Sequence, residues 1–241
     1  MKLATREKLN KTSTATIATI LFKQGLKNQF IQNVGPVVSG KSIMVGEAFT
    51  LRYIPAREDL NPISVFKDPR HLQRVAIETC PSGAVLIMDS RKDARAASAG
   101  SMLITRLMHR GAAGVVTDGG FRDSAIIGAL PFPSFHQRPS APTNLTLHQA
   151  IDLNVPIACG DVAVFPGDVL VGDDDGVMVI PAHLADLVAE EAMRMELYEA
   201  YVGEQVSQGQ SIIGLYPLTQ EKHQQGFDHW KQSRDLNKGD E

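Results

Sequence analysis

Two short runs near the middle of the chain combine residue types that could hold and activate a small anion. They are Ala99-Gly100-Ser101-Met102-Leu103 and Asp118-Gly119-Gly120-Phe121-Arg122-Asp123. In the first, Gly100 and Ser101 open a segment whose Met102, Leu103, Ile104, Leu107 and Met108 share one apolar face, with Arg106, His109 and Arg110 opposite and Gly111 as a stop. That is the pattern of an amphipathic helix, and the free N–H groups at a helix start suit a carboxylate or phosphate. In the second run Arg122 offers a planar, permanently charged fork for a carboxylate or keto oxygen, and Asp123 a hard oxygen ligand suited to magnesium. Anion cradle, cation and metal ligand could thus serve one site. The spacing fits equally a Gly-Gly turn followed by a solvated Arg-Asp pair.

For the two runs to meet, the elements between them must form a parallel unit. Ala84-Val85-Leu86-Ile87-Met88 is a continuous apolar run ending at Asp89, which reads as a strand buried on both faces. A polar loop over 90–97 leads to the helix, and Gly114-Val115-Val116-Thr117 follows as a second strand. Such a βαβ crossover is right-handed and makes its strands parallel. Its loops, 89–101 and 118–123, then leave the same edge of the sheet, where open α/β sheets bind ligands.

The chain has 241 residues, 43% hydrophobic and 21% charged, enough for a real core in one domain of ordinary globular type. A net charge of −3 with scattered Lys and Arg gives no basic footprint, so a nucleic-acid partner is not expected. The apolar stretch from Ile17 to Phe22 is too short to span a bilayer and no cleavage-site pattern follows it, so a cytoplasmic protein without a membrane partner is expected. Cys80 and Cys159 lack metal-ligand spacing and read as buried free thiols.

Thr14, Ile17, Ile20, Leu21 and Gln24 fall at helical spacing between Ser13 and Gly25. Glu47 to Tyr53 alternates as a strand with one wet face. The polar stretch from Pro55 to Asp68 reads as a surface excursion, and its Arg57, Glu58 and Asp59 could lie over a site or simply be solvated. His71 to Cys80 is a helix with Leu72, Val75, Ala76 and Thr79 inward, and Ser124 to Leu130 a short one. His136, bracketed by Pro133 and Pro139, could carry protons or make a structural hydrogen bond. Val155 to Pro181 reads as antiparallel hairpins, in which Asp173-Asp174-Asp175-Gly176 is a tight turn lacking the remaining ligands of a calcium loop. Pro181 opens a long helix with Leu184, Leu187, Val188, Met195, Tyr198 and Val202 as its stripe. The tail is polar apart from Ile212 to Tyr216, its last residues are expected to fray, and Trp230 could dock on a neighbouring surface.

The run from Gly111 to Asp123, followed by Pro166-Gly167-Asp168 and by Asp173 to Pro181, resembles the RraA-like family, which unites regulators of ribonuclease E activity with class II pyruvate aldolases. The likeness extends from Thr14-Ala15-Thr16-Ile17 through Gly46-Glu47-Ala48-Phe49-Thr50 to the long helix, most of the chain. It implies an α/β fold of β/β/α sandwich, swivelling-domain type, with a catalytic domain over 1–205 and a C-terminal extension over 206–241 partly packed on a neighbour. It also implies homotrimers or homohexamers with sites at their interfaces. Carried over position by position, the metal-anchoring aspartate is Asp123 and the substrate-binding arginine Arg122. The amides that hold a pyruvyl carboxylate are those of Ser101, Met102 and Leu103, after Gly100. A further carboxylate, Glu196 or Glu199, would come from a neighbouring subunit. One position departs: aldolase members usually carry an acid directly after the glycine, where Ser101 stands, and Asp89 or Asp93 on the same loop could compensate.

The activity so implied is Mg2+- or Mn2+-dependent cleavage of a 4-hydroxy-2-oxo acid to pyruvate, with oxaloacetate decarboxylation through the same enolate. A lyase or hydratase of another 2-oxo sugar acid, and a non-catalytic regulator of a ribonuclease, use the same scaffold.

Overall fold

The fully apolar run ending at Asp89 becomes the middle of the molecule because nothing along it can face water: all six residues of Ala84–Asp89 are buried. The computed structural model describes residues 1–41 and 43–237. In chain order it has α1 (Leu3–Leu9), α2 (Thr14–Lys23), β1 (Gly35–Pro36), β2 (Met44–Pro55), α3 (Leu72–Thr79), β3 (Ala84–Asp89) and β4 (Ala97–Ala99). Then come α4 (Ser101–His109), β5 (Gly114–Thr117), β6 (Gly120–Phe121), α5 (Ser124–Ala129), β7 (Ser134–His136), β8 (Arg138–Pro139) and β9 (His148–Leu153). The chain continues with β10 (Ile157–Cys159), β11 (Val162–Val164), β12 (Val169–Asp173), β13 (Gly176–Ile180), α6 (Ala185–Ser207) and α7 (Glu221–Asn237).

The main sheet runs β1-β7-β5-β3-β2-β12-β13, with β9 on the far half of β2. Its centre, β7-β5-β3-β2, is parallel, with Val85 opposite Gly114 and Ala48 opposite Val85. The flanking strands β1, β9, β12 and β13 are antiparallel. Three layers result. Helices α3, α4 and α5 cover one face through Ile77, Ile104, Leu107 and Ile127 against Leu51, Leu86 and Val115. The hairpin β10–β11 covers the other through Ile157, Val162 and Val164 against Ile87, Val116 and Leu170. Helices α1, α2 and α6 close the β12–β13 end on Ile17, Ile20, Leu21, Val169, Val171 and Val188. This is a mixed α/β sandwich of the expected class, with a long helix near its C-terminal end.

Some packing departs from what periodicity suggests. On α3 the buried residues are Gln73, Ala76 and Ile77, while Thr79 is exposed. The helix is rotated so that the buried Gln73 donates its amide to the Ser98 carbonyl at 2.6 Å, an acceptor it shares with the Tyr53 hydroxyl at 3.1 Å. On α4 the inward residues are Ser101, Ile104 and Leu107, and Met102 is 87% exposed. Asp173 accepts from the N–H and hydroxyl of Thr14, both at 2.7 Å, so the acidic turn ties β12 to the start of α2. Both cysteines are buried and free. Most of the tail is helical: α7 docks on α6 through Tyr198, Tyr201, Phe227 and Trp230, so Trp230 packs on its own chain, 5.8 Å from Tyr201. The final residues, where fraying is expected, fall at 238–241, outside the described residues. No helix among the described residues is long and apolar enough to cross a membrane.

Leu86, with no exposed surface at the centre of the sheet, should lose about 2–5 kcal/mol of stability as Leu86→Ala. Ile213→Ala, at a residue 79% exposed, should change it by less than about 0.5 kcal/mol. Urea titrations of the two variants check the contrast.

Candidate active site

The two loops of the βαβ unit are joined by a second, smaller sheet, β4-β6-β8, whose pairs are parallel: Ala97 with Gly120, Ala99 with Phe121, and Gly120 with Arg138. The Arg122 N–H then donates to the Ala99 carbonyl at 3.1 Å. These pairings bring Arg122 and Asp123 against the start of α4. Asp123 itself has left-handed backbone, φ 59° and ψ 36°, a conformation more common for aspartate than for most residues and often found at functional positions.

Gly100, at the start of α4, has no side chain to cap the helix. Asp123 does so from the other loop: its Oδ2 accepts from the Ser101 N–H at 3.2 Å and from the Ser101 hydroxyl at 3.1 Å. A carboxylate is favoured there by the partial positive charge of the helix terminus. Arg122 Nε lies 3.6 Å from the same oxygen. Among the described residues nothing donates to Asp123 Oδ1, and the side chain is 35% exposed. A Cβ on Gly100 would lie 2.8 Å from Arg122 Cγ and 3.0 Å from Asp123 Oδ2, so the close approach requires glycine.

These groups line a cleft of about 190 Å³ with Phe66, Gln73, Arg74, Ala97, Ala99, Thr143 and Asn144. It is a metabolite-sized space, smaller than the roughly 300–1,000 Å³ of drug-sized sites. Gly100, Met102, Leu103, Arg122 and Asp123 line it as the sequence suggests, and Ser101 borders it through Asp123. Of the three amides read as a cradle, the Ser101 N–H is engaged with Asp123 and the Leu103 N–H with the Gly100 carbonyl at 3.1 Å. Only the Met102 N–H has no protein acceptor among the described residues.

Asp89 and Asp93 do not stand in for the acid that Ser101 replaces. Asp89 accepts from the N–H groups of Arg91 and Ala158, and Asp93 pairs with Arg95 at 2.7 Å, both away from the cleft. Within the chain Glu196 accepts from the Ser13 N–H at 2.8 Å and Glu199 from the Thr16 and Tyr216 hydroxyls at 3.1 and 2.5 Å, so neither lines the chain's own cleft. Among the described residues no three His, Cys, Asp or Glu side chains converge as a metal cluster. Arg57 and Asp59 pair with each other in solvent. Instead the excursion contributes Phe66, from a 3₁₀ turn at Ile63–Lys67. An aromatic residue within a polar stretch was the available signal; nothing in the sequence singled out Gln73, Arg74, Thr143 or Asn144.

Beneath the cleft lies a buried polar floor. Ser98 bonds Ser90 and Thr117 at 2.7 Å each through their hydroxyls. Asp118 accepts from the N–H groups of Ser90, Lys92 and Gly160 at 2.6 to 3.1 Å. Burial pushes its carboxyl up to about 6, with those three donors opposing the rise. His136 sits on β7, stacked 5.5 Å from Phe121, with its Nδ1 unpartnered, and burial lowers it to about 4.

An α/β sandwich with a carboxylate-capped helix start at one parallel edge defines the class of protein. The chain belongs to the RraA-like family, whose model, described as Aldolase/RraA, matches residues 14–179. A relative from Halalkalibacterium halodurans is 36% identical over 114 residues, 47% of this chain and 54% of its own, and bears provisionally the name 4-hydroxy-4-methyl-2-oxoglutarate aldolase. A Thermus thermophilus protein bearing that name outright is 29% identical over 119 residues, 49% of this chain and 71% of its own. The chain spans about half the length of the first curated relatives it matches. Among solved structures, Streptomyces coelicolor RraAS2, described as an unusual member of the RNase ES inhibitor RraA family, superposes with a TM-score of 0.74 at 26% identity, covering 84% of this chain and 96% of that one.

Gly100→Ala should push Arg122 and Asp123 away from α4 and cost about 1–3 kcal/mol of stability, seen as a lowered unfolding midpoint. The neutral, buried His136 predicts acid sensitivity. As pH falls below 6.5 the unfolded chain takes up a proton that the folded chain resists until about 4. The His136 contribution is therefore full above 6.5 and falls by about 1–3 kcal/mol toward pH 4, while Asp118, raised to about 6, works in the opposite sense over the same range. In denaturation against pH, the stability difference between His136→Leu and the wild type should move in the variant's favour by that amount as pH falls from 6.5 to about 4.

Proposed function

We propose that the chain is a lyase that cleaves a 4-hydroxy-2-oxo acid to pyruvate by retro-aldol chemistry, with oxaloacetate decarboxylation as a side activity. The observation that carries the reading is one cleft containing the Met102 N–H, the Arg122 guanidinium and an Asp123 carboxylate with one oxygen free. The names of the relatives point the same way.

The substrate carboxylate would sit at the start of α4, on the Met102 N–H and the positive end of the helix. Arg122 would face the 2-oxo oxygen and meet the negative charge that develops there as the C3–C4 bond breaks. In the forward direction the C4 hydroxyl proton leaves to solvent, C4 becomes the carbonyl of the departing aldehyde or ketone, and the C3–C4 electron pair passes into the C2–C3 enolate. Protonation at C3 then gives pyruvate. Decarboxylation of oxaloacetate leaves the same enolate, so one constellation serves both.

Magnesium or manganese suits the donor set. Such an ion commonly takes one or two protein carboxylates and fills its remaining positions with water and substrate oxygens, and Asp123 Oδ1 is the free carboxylate oxygen. Held there, the ion would polarise the 2-oxo group. Ser101 then has a definite role: its hydroxyl donates to Asp123 Oδ2 at 3.1 Å, where an acid would place a second negative charge. Glu196 or Glu199 from a neighbouring copy in a homotrimer or homohexamer could supply a further carboxylate.

A second reading has one observation in its favour: the likeness to a structure described as belonging to an RNase inhibitor family. It predicts inhibition of a ribonuclease that survives loss of Asp123.

Arg122→Ala and Asp123→Ala should each lower kcat/KM for pyruvate release by about a hundredfold to a thousandfold, with folding retained by circular dichroism. A coupled lactate dehydrogenase assay over a panel of 4-hydroxy-2-oxo acids and oxaloacetate, with and without magnesium, measures this. Turnover unaltered by both substitutions would overturn the proposal.

A further inference from the structure

We propose that Arg74 recognises a second carboxylate at the far end of the substrate, so that the cleft selects dianionic 2-oxo acids over neutral-tailed ones. This rests on the reading of the cleft as a 2-oxo acid site, and it names the group that selects among such acids.

Arg74 lines the same cleft as Arg122 and Asp123. Its guanidinium lies over the Phe66 ring at 4.8 Å, and that ring is held edge-on by His71 at 5.2 Å. Other arginines nearby are committed to carboxylates: Arg70 to Asp68, and Arg106 and Arg110 to Glu78. Among the described residues Arg74 has no acidic partner. The cleft lining thus carries two cations and one carboxylate. With Arg122 beside Asp123, the positive charge left over is at Arg74. An arginine stacked on an aromatic face is already oriented and loses less freedom when it binds a carboxylate.

The remaining lining argues against a polyhydroxylated tail. Phe66, Ala99, Met102 and Leu103 form an apolar wall suited to a carbon chain. The amides that could read hydroxyl groups are turned onto the protein: Gln73 Nε2 donates to the Ser98 carbonyl at 2.6 Å and Asn144 Nδ2 to the His148 carbonyl at 3.5 Å. The Thr143 hydroxyl is on Asn144 at 3.3 Å. A carboxylate is the partner that Arg74, exposed in the cleft lining, lacks among the described residues.

The test compares the wild type with Arg74→Met, which keeps bulk over Phe66 and removes the charge, and with Arg74→Lys. Two substrates of the same chemistry are used in magnesium: 4-hydroxy-2-oxoglutarate, a dianion, and 4-hydroxy-2-oxopentanoate, a monoanion. The ratio of their kcat/KM values should fall about 10- to 100-fold in Arg74→Met, the loss of one charge-assisted contact, through the KM of the dianion, and recover in part in Arg74→Lys. A fall shared by both substrates would make Arg74 a prop for Phe66 and overturn the proposal. Calorimetric binding of 2-oxoglutarate against 2-oxopentanoate, which lack the C4 hydroxyl, separates the two proposals. A wild-type preference for the dianion that Arg74→Met abolishes, without cleavage of any hydroxy acid, would sustain the role of Arg74 and overturn the lyase. Cleavage of both substrates with no preference in binding would do the reverse.

Discussion

The site depends on a strand pairing of only a few residues. Strands β4 and β6 are parallel neighbours outside the main sheet, and their register sets Ala99 beside Phe121. One residue further along, the chain on one side turns into α4 and on the other presents Arg122 and Asp123. Because β4 continues directly into the helix, the helix start and the Arg-Asp pair are held together by backbone hydrogen bonds rather than by flexible side chains. The absence of a Cβ on Gly100 lets the two approach, and the carboxylate of Asp123 then caps the helix that the glycine leaves uncapped.

That arrangement also sets the electrostatics. One oxygen of Asp123 meets the helix terminus, the Ser101 hydroxyl and Arg122. The other oxygen accepts no hydrogen bond among the described residues. A serine after the glycine makes this cleft less negative than an acid would, and Arg74 makes it more positive still. Beneath it, the hydroxyls of Ser90, Ser98 and Thr117 bond one another and three backbone N–H groups donate to Asp118, tying the two loops together. Gly119 belongs to that floor, since a Cβ there would come within 2.6 Å of Ser98 Oγ. Such satisfied networks hold a site in one geometry.

Much of this was legible in the residues themselves. The run from Val85 to Met88 reads as a strand buried on both faces, and the apolar face of α4 with Gly111 behind it as a crossover helix. Together they imply parallel strands with both loops at one edge, as observed. The acidic turn at Asp173 and the buried thiols were legible for similar reasons, because they follow from local chemistry. Periodicity failed where a tertiary partner outweighed it. Gln73 faces inward to donate to the Ser98 carbonyl, which turns α3, and Met102 stays out because the cleft lies there rather than core.

The sequence by itself determined the βαβ unit and the edge its two loops share, because hydrophobic period and chain handedness are local properties, and it offered Arg122 and Asp123 as the candidate charged pair at that edge. Only the tertiary structure decided which amide stays free, how Ser101 serves Asp123, and that Phe66, Arg74 and Asn144 complete the cleft. Those residues come from separate segments of the chain, and only long-range packing sets the distances between them.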